Sequence, residues 1–141
     1  MSKAERQVGR KAEAAMPLIL GNTDALSATA SSETAVLWKL AESGRQLDAN
    51  VVRLTPGRHI APHAEPDLDV LVLVVAGDGV LGAGPQDEPQ SLNTGTLLWL
   101  PHGSTRSITA GDDGLAYLTV HRRRPGLQIG QAPRDRTAQD R

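Results

Sequence analysis

The chain has 141 residues, room for one domain of ordinary size, and 39% of them are apolar. Its formal charge is −1, with 15 Lys and Arg against 16 Asp and Glu. No overall field therefore points to nucleic acid or an anionic membrane, and neither is expected as a partner. Cysteine is absent, which excludes disulfides, thiolate metal sites and cysteine nucleophiles and is compatible with a cytoplasmic location.

The apolar residues are almost all aliphatic: no Phe, one Tyr and two Trp. Such a core must interdigitate many short side chains, which suits a small barrel or sandwich. Fourteen Gly and nine Pro favour short strands with many turns. No apolar run approaches the roughly 20 residues of a membrane helix, and Met16–Leu20 is too short for a secretory apolar region.

In chain order, residues 1–32 read as a partly disordered extension, with a short helix over Lys3–Ala15 and an extended piece over Pro17–Leu20. Thr34–Glu42 alternates imperfectly and could be strand or helix on propensity. Ser43-Gly44 is a turn, Ala49–Leu54 a β-branched strand, and Thr55-Pro56-Gly57 another turn. Val70–Ala76 (VLVLVVA) is predicted as a strand buried on both faces, closed by a turn at Gly77-Asp78-Gly79, with Val80-Leu81 continuing beyond it. Gly84–Gln90 reads as a hairpin-like loop. Thr96–Leu100, Arg106–Thr109 and Leu115–His121 complete the strands, separated by turns at Pro101–Gly103 and Ala110–Gly114. A domain over 33–125 and a disordered polar tail over 126–141 follow. Strands at this spacing mean a sandwich or barrel.

The glycines and prolines fall in a recognisable order. Gly57-x5-His63-x-Glu65, an apolar strand and then Gly77-x-Gly79 resemble the first motif of the cupin superfamily. That motif runs Gly, five residues, His-x-His, three or four residues, Glu, six residues, Gly. Gly95-x5-Pro101-x-Gly103-x2-Arg106 resembles the second, which runs Gly, five residues, Pro-x-Gly, two residues, His. The stretch from Leu37 to Leu127 looks like small cupins of high-GC actinobacteria, and twelve Arg against three Lys suits such a source. The resemblance implies an all-β fold, an antiparallel double-stranded β-barrel of jelly-roll type, often dimeric. The apolar strand needing cover on both faces also points to a homodimer.

The resemblance implies a place inside the barrel where two His and a Glu from the first motif and a His from the second hold Fe, Mn, Ni or Zn. In this sequence His63 takes the first His position and Glu65 the second. The Glu position falls on Val70 counted back from Gly77, or on Asp69 counted forward from Glu65, and a one-residue offset reverses the face. Arg106 stands where the last His would be, and a guanidinium is not a ligand. The expectation is therefore no metal cofactor. The alternative is a shifted divalent-metal site of His63, Glu65, Asp69 and His121.

Glu65 and Arg106, at facing ligand positions, could form an internal ion pair; alternatively Glu65 sits at the rim and Arg106 reaches water. His59 and His102 are expected at the surface, and His63 is either functional or a hydrogen-bonded structural residue. Asp67 and Asp69 would share a strand face, as an acid/base or cation pair or simply as charges that discourage edge pairing. His121-Arg122-Arg123-Arg124 could catch an anion or be a solvated strand end. The function these residues favour is a metal-free barrel that binds a small, anionic molecule through His63, Glu65 and Arg106. A metal-dependent dioxygenase or isomerase is the enzyme alternative, and a structural or regulatory interaction module the third.

Overall fold

The computed structural model describes residues 16–28, 33–82 and 88–124. The predicted helix over Lys3–Ala15, most of the Gly84–Gln90 loop and the 126–141 tail lie outside them. The elements are a short helix α1 (Thr23–Ser27) and seven strands: β1 (Ala35–Lys39), β2 (Leu47–Leu54), β3 (His59–Ala64), β4 (Val70–Gly82), β5 (Gln90–Asn93), β6 (Leu97–Leu100) and β7 (Thr105–Arg122). Every pairing is antiparallel.

Two long strands, β4 and β7, organise the fold. The first half of β4 pairs with β6, and its Leu71–Gly77 pair with Leu115–Val120 of β7, which in turn pairs with β2 and through it β1. The second half of β4 pairs with β5 and with residues 107–110 of β7, whose other neighbour is β3. The result is two sheets, β1-β2-β7-β4-β6 and β3-β7-β4-β5, that share two bent strands. Hydrogen bonding runs through the bends, and the ladder does not close into a ring among the described residues.

The bends fall where turns were predicted, and they are not turns. β4 runs unbroken through Gly77-Asp78-Gly79, and β7 runs unbroken through 110–114. The register instead shifts between Gly77 and Gly79, so that a single residue, Asp78, faces the four residues 111–114 of the other strand. Glycine is required there by contact. A Cβ on Gly77, whose φ is +77°, would lie 2.1 Å from the Gly114 carbonyl oxygen. One on Gly79 would lie 2.4 Å from that of Thr109.

Leu54, Val70, Val72, Val74, Leu81, Leu92, Leu100, Ile108, Leu115 and Tyr117 form the aliphatic core between the sheets. The side chains of β4 alternate accordingly. Val70, Val72 and Val74 are buried, whereas Leu71 is exposed and Leu73 and Val75 half-buried. Within one chain the outer face of this strand is covered in part: the short helix α1 packs against β4 and Leu73 and Val75 are half-buried, while Leu71 stays exposed. Thr34–Glu42 resolves as strand β1, with a register shift between Val36 and Trp38. β3 and β5 were not foreseen as strands, because HIAPHA and QSLN carry too little apolar alternation to stand out.

Pro17–Leu20 is exposed and in no regular element. Within the expected N-terminal extension, α1 is capped by Asn22, whose side-chain oxygen accepts from the Asp24 and Ala25 amides at 2.8 and 3.1 Å. Its last carbonyl, that of Ser27, accepts from Arg53 at 2.9 Å. This seats α1 over the outer face of the sheet, against β4 and β1, and Leu20 and Leu26 lie with Trp38, Val51 and Leu118 around a cavity of about 170 Å³.

Candidate functional site

Between the two sheets, side chains at every second position of a strand face inward. On β7, Arg106, Ile108 and Ala110 are the buried set, so Arg106 points into the barrel. It is 5% exposed and the one charged residue buried to this degree among those described. Its Nη1 donates to the Ser104 carbonyl at 3.1 Å and to the Ser104 hydroxyl at 3.4 Å. A guanidinium has five N–H donors; no other hydrogen bond or ion pair of Arg106 forms among the described residues. Burial pulls its pKa down from the ordinary value, opposed by the field of the Glu65 carboxylate, and it stays charged.

His63 is the register partner of Arg106 across β3 and β7, which puts both on one face of the ladder. The imidazole sits at the exposed edge, with Nδ1 3.1 Å from its own strand's Ala61 carbonyl. Glu65 follows the end of β3. Its Oε2 accepts from the Asp67 amide at 2.9 Å, its Oε1 pairs with Arg124, and its carbonyl accepts from the Gly103 amide at 2.7 Å. Partial desolvation works to raise the Glu65 pKa, but the Asp67 N–H, Arg124 and Arg106 together outweigh it and hold the carboxyl below its usual range. The ion pair of Glu65 is thus with Arg124. No direct Glu65–Arg106 bridge forms; Arg124, two residues past the end of β7, holds the carboxylate.

The alternative metal set is not assembled. Asp69 sits on the outer side: its Oδ1 accepts from the His102 amide at 2.8 Å and lies 2.7 Å from His102 Nδ1. These contacts, the amide first, hold its carboxyl below the usual range. The neighbour Val70 faces the core instead, so the offset between two candidate positions resolves with an apolar side chain pointing inward. His121 Nδ1 is held 2.7 Å from the Arg122 carbonyl. Among the described residues no three His, Asp or Glu gather as a metal-holding group. The donors present do not fit a cation bound with a guanidinium in its place. Asp67 lies before β4, not on it, so the supposed Asp67/Asp69 strand face does not exist. His59 meets Thr109 Oγ1 at 2.8 Å on the outside.

A polar cavity of about 240 Å³ does open at this end of the fold, lined by Lys39, Arg45, Asp48, Asn50, Thr119, His121 and Arg124 among others. It touches the Glu65–Arg124 pair on one side. Asp48 pairs with Arg45 at 3.0 Å. That hydrogen bond, against an opposing effect of desolvation, keeps the Asp48 carboxyl low. Thr119 donates to Asn50 at 2.6 Å across the β2–β7 ladder. Sequence reading missed Asp48, Asn50 and Thr119, although a signal was present. On β2 the set Asp48, Asn50, Val52, Leu54 passes from polar to apolar along one face. On β7 His121, Thr119, Tyr117, Leu115 does the same. Two neighbouring strands sharing that gradient mark the wet end of a barrel. A separate cavity of about 320 Å³, lined by Arg53, Thr55, Gly77, Asp113 and Gly114 among others, includes none of His63, Glu65 and Arg106.

Two bent strands shared by two antiparallel sheets, with an aliphatic core between them, define the double-stranded β-helix of cupin domains, and solved structures agree. A cupin-2 domain protein from Shewanella frigidimarina is matched at TM-score 0.57 and 18% identity, over 74% of this chain and 95% of that one. A protein with a double-stranded β-helix domain from Klebsiella pneumoniae is matched at TM-score 0.59 and 17% identity, over 75% and 90%. A cupin domain from Schizosaccharomyces pombe is matched at TM-score 0.54 and 14% identity, over 62% of this chain and 59% of that one, less than two thirds of its length. At these identities the likeness concerns the fold. No family model matches the chain, and no curated protein matches it. Among the described residues no helix is long and apolar enough to cross a membrane.

Proposed function

We propose that this chain is a metal-free cupin-type barrel that binds a small anion, a carboxylate or phosphate, at the polar end of the fold. Arg106 is the central anchor, and His63 and the cations around the polar cavity are secondary ones. The observation that carries this is the state of Arg106. It is a buried cation whose hydrogen bonds, among the described residues, reach only Ser104, while the nearby carboxylate of Glu65 is already held by Arg124 and the Asp67 amide. Burying a charge without a bonded counter-ion is unfavourable, and an anion that accepts the remaining N–H groups relieves that cost. Lys39 adds positive charge at the adjoining cavity, where Arg45 and Arg124 are paired with Asp48 and Glu65. We read the assembly as a cytoplasmic homodimer, a setting that the lack of cysteine suits.

The test is a thermal-shift panel of acetate, malonate, succinate, citrate and inorganic phosphate, at constant ionic strength, on the wild type and Arg106→Ala. An anion present at about one hundred times its Kd stabilises by about 2.7 kcal/mol. At least one member should raise the wild-type melting temperature by several degrees and leave Arg106→Ala unmoved. If none distinguishes the two proteins, the reading is wrong.

A further inference from the structure

Two neighbouring rows on the outer face of the sheet differ in size. One consists of Trp38, Val51, Leu118 and Leu73 in register, and the next, nearer the bends, of Ala35, Arg53, Ala116 and Ala76. The second row points outward, because Arg53 lies between Val52 and Leu54, and Ala116 between Leu115 and Tyr117, all of which pack in the core. Three methyl groups around one long side chain leave a step in the surface. Ser27 of α1 walls that step on one side, and Thr55, Asp113 and Gly114 border it toward the bends; the hollow is the cavity of about 320 Å³. That volume stands at the lower end of small-molecule sites, about 300–1,000 Å³.

The polar groups of the hollow carry both signs of charge. The Arg53 guanidinium is anchored through Nη2, which donates to the Ser27 carbonyl at 2.9 Å. Ser27 Oγ is buried and has no hydrogen-bond partner among the described residues. A buried hydroxyl in that state costs free energy that a ligand atom can recover. Toward the bends, Asp113 is exposed, and no ion pair of Asp113 forms among the described residues. Asp112 adjoins it, and Asp78 faces the same loop of residues 111–114. A simple anion drawn to Arg53 is repelled by these carboxylates, and a simple cation drawn to Asp113 is repelled by Arg53. A ligand with one charge of each sign satisfies both. We infer that this hollow binds a free α-amino acid with a small aliphatic side chain. Its carboxylate meets Arg53 and the Ser27 hydroxyl, its ammonium meets Asp113, and its side chain lies over the methyl groups of Ala76 and Ala116. The site is on the outside of the sheet and does not rest on the anion reading of the barrel.

Amide NMR spectra of the isotope-labelled full chain, titrated with glycine, L-alanine and L-valine, test the assignment. At least one of these should shift the amides of Ala76, Gly77, Gly114 and Ala116 in a saturable way. L-Alaninamide, which lacks the carboxylate, and propionate, which lacks the ammonium, should bind there at least about tenfold more weakly, the effect of losing one charge-assisted contact. Propionate shifts at Ser104 and Arg106 report the barrel site instead, so the two sites succeed or fail separately. Asp113→Asn changes an exposed side chain and should leave the fold intact. It should weaken the amino acid about tenfold and leave the Ser104 and Arg106 response to propionate as it was. Ser27→Ala should weaken the amino acid about fivefold with no loss of thermal stability, since its hydroxyl has no bond to lose among the described residues. The inference is overturned if no amino acid moves these amides, or if propionate or glycerol moves them as strongly. It is equally overturned if Asp113→Asn or Ser27→Ala binds as the wild type does.

Discussion

Replacing Arg106 by Met should stabilise the protein while removing its response to anions. The side chain sits in an aliphatic layer with Ile108 and Ala110 on the same face of β7. Substitution gives up two charge-assisted hydrogen bonds to Ser104, at 3.1 and 3.4 Å. At about 1.5–3 kcal/mol for a good one, and less at 3.4 Å, that loss is about 2–4 kcal/mol. Ser104 is half-buried, so water can still reach its oxygens. Against the loss stand the removal of a desolvation penalty of several kcal/mol and the burial of an unbranched apolar side chain, about 1.5–3 kcal/mol. The balance falls between neutrality and a gain of about 3 kcal/mol. Urea unfolding followed by tryptophan fluorescence, in a buffer free of phosphate and carboxylates, reads it directly; the denaturant slope should not change. The buffer matters because a bound anion stabilises only the wild type. A loss of about 3 kcal/mol or more on Arg106→Met would refute the reasoning, since that is the signature of a fully partnered buried charge.

Further outcomes rest on the same geometry. The folded-state pKa of Glu65 lies below its ordinary 4.5, so its contribution to stability is complete above that pH and is lost as pH falls through the folded value; Glu65→Gln should flatten the acid limb of a stability–pH profile, and Arg124→Ala should move the Glu65 carboxyl titration upward by NMR. Gly77→Ala should cost at least about 2 kcal/mol by denaturant melt, combining a left-handed φ with a backbone clash at 2.1 Å. Gly103→Ala, at φ +81° with open space around it, should cost only about 1 kcal/mol. Thr119→Val should cost about 1 kcal/mol by losing the 2.6 Å bond to Asn50, with a cycle through Asn50→Ala showing that most of the loss is shared.

The elements that could be read in the sequence were those that apolar periodicity writes clearly. Val70–Ala76, Thr96–Leu100 and Leu115–His121 are strands because aliphatic runs of that length bury themselves best in a sheet. The glycines at 57, 77, 79, 95 and 103 supplied the order of the fold. Their local roles were harder to see. A glycine pair reads equally as a turn and as a place where two strands touch; only pairing partners distant in sequence decide, and here Thr109 and Gly114 do so. The same limit governs the site. Which of Asp69 and Val70 faces inward depends on the start of β4, and the identity of the partner of Glu65 depends on a residue 59 positions away. Sequence spacing brings His63, Glu65 and Arg106 to one end of the barrel, but it does not say which cation takes the carboxylate.

That choice of cation determines the chemistry of the interior. Had Glu65 bonded Arg106, the barrel would hold a neutralised pair with little left for a ligand. Because Arg124 and the Asp67 amide take the carboxylate from outside, the positive charge of Arg106 is left facing the interior with Ser104 as its only hydrogen-bond partner among the described residues. A cation-binding barrel collects lone pairs at this end; here Arg106 places N–H donors, and the neighbouring cavity carries Lys39 beside the Arg45–Asp48 and Arg124–Glu65 pairs. Removing Arg124 should therefore do two opposite things. It lowers the positive charge at the cavity mouth, and it frees Glu65 to turn toward Arg106, closing the site from within. Arg124→Ala should bind anions more weakly than loss of one peripheral charge explains. Arg124→Ala with Glu65→Gln should recover part of that binding, since the competing carboxylate is gone. Titration calorimetry with the strongest anion of the panel measures both. If the double variant binds no better than Arg124→Ala, Glu65 is not a competitor for Arg106.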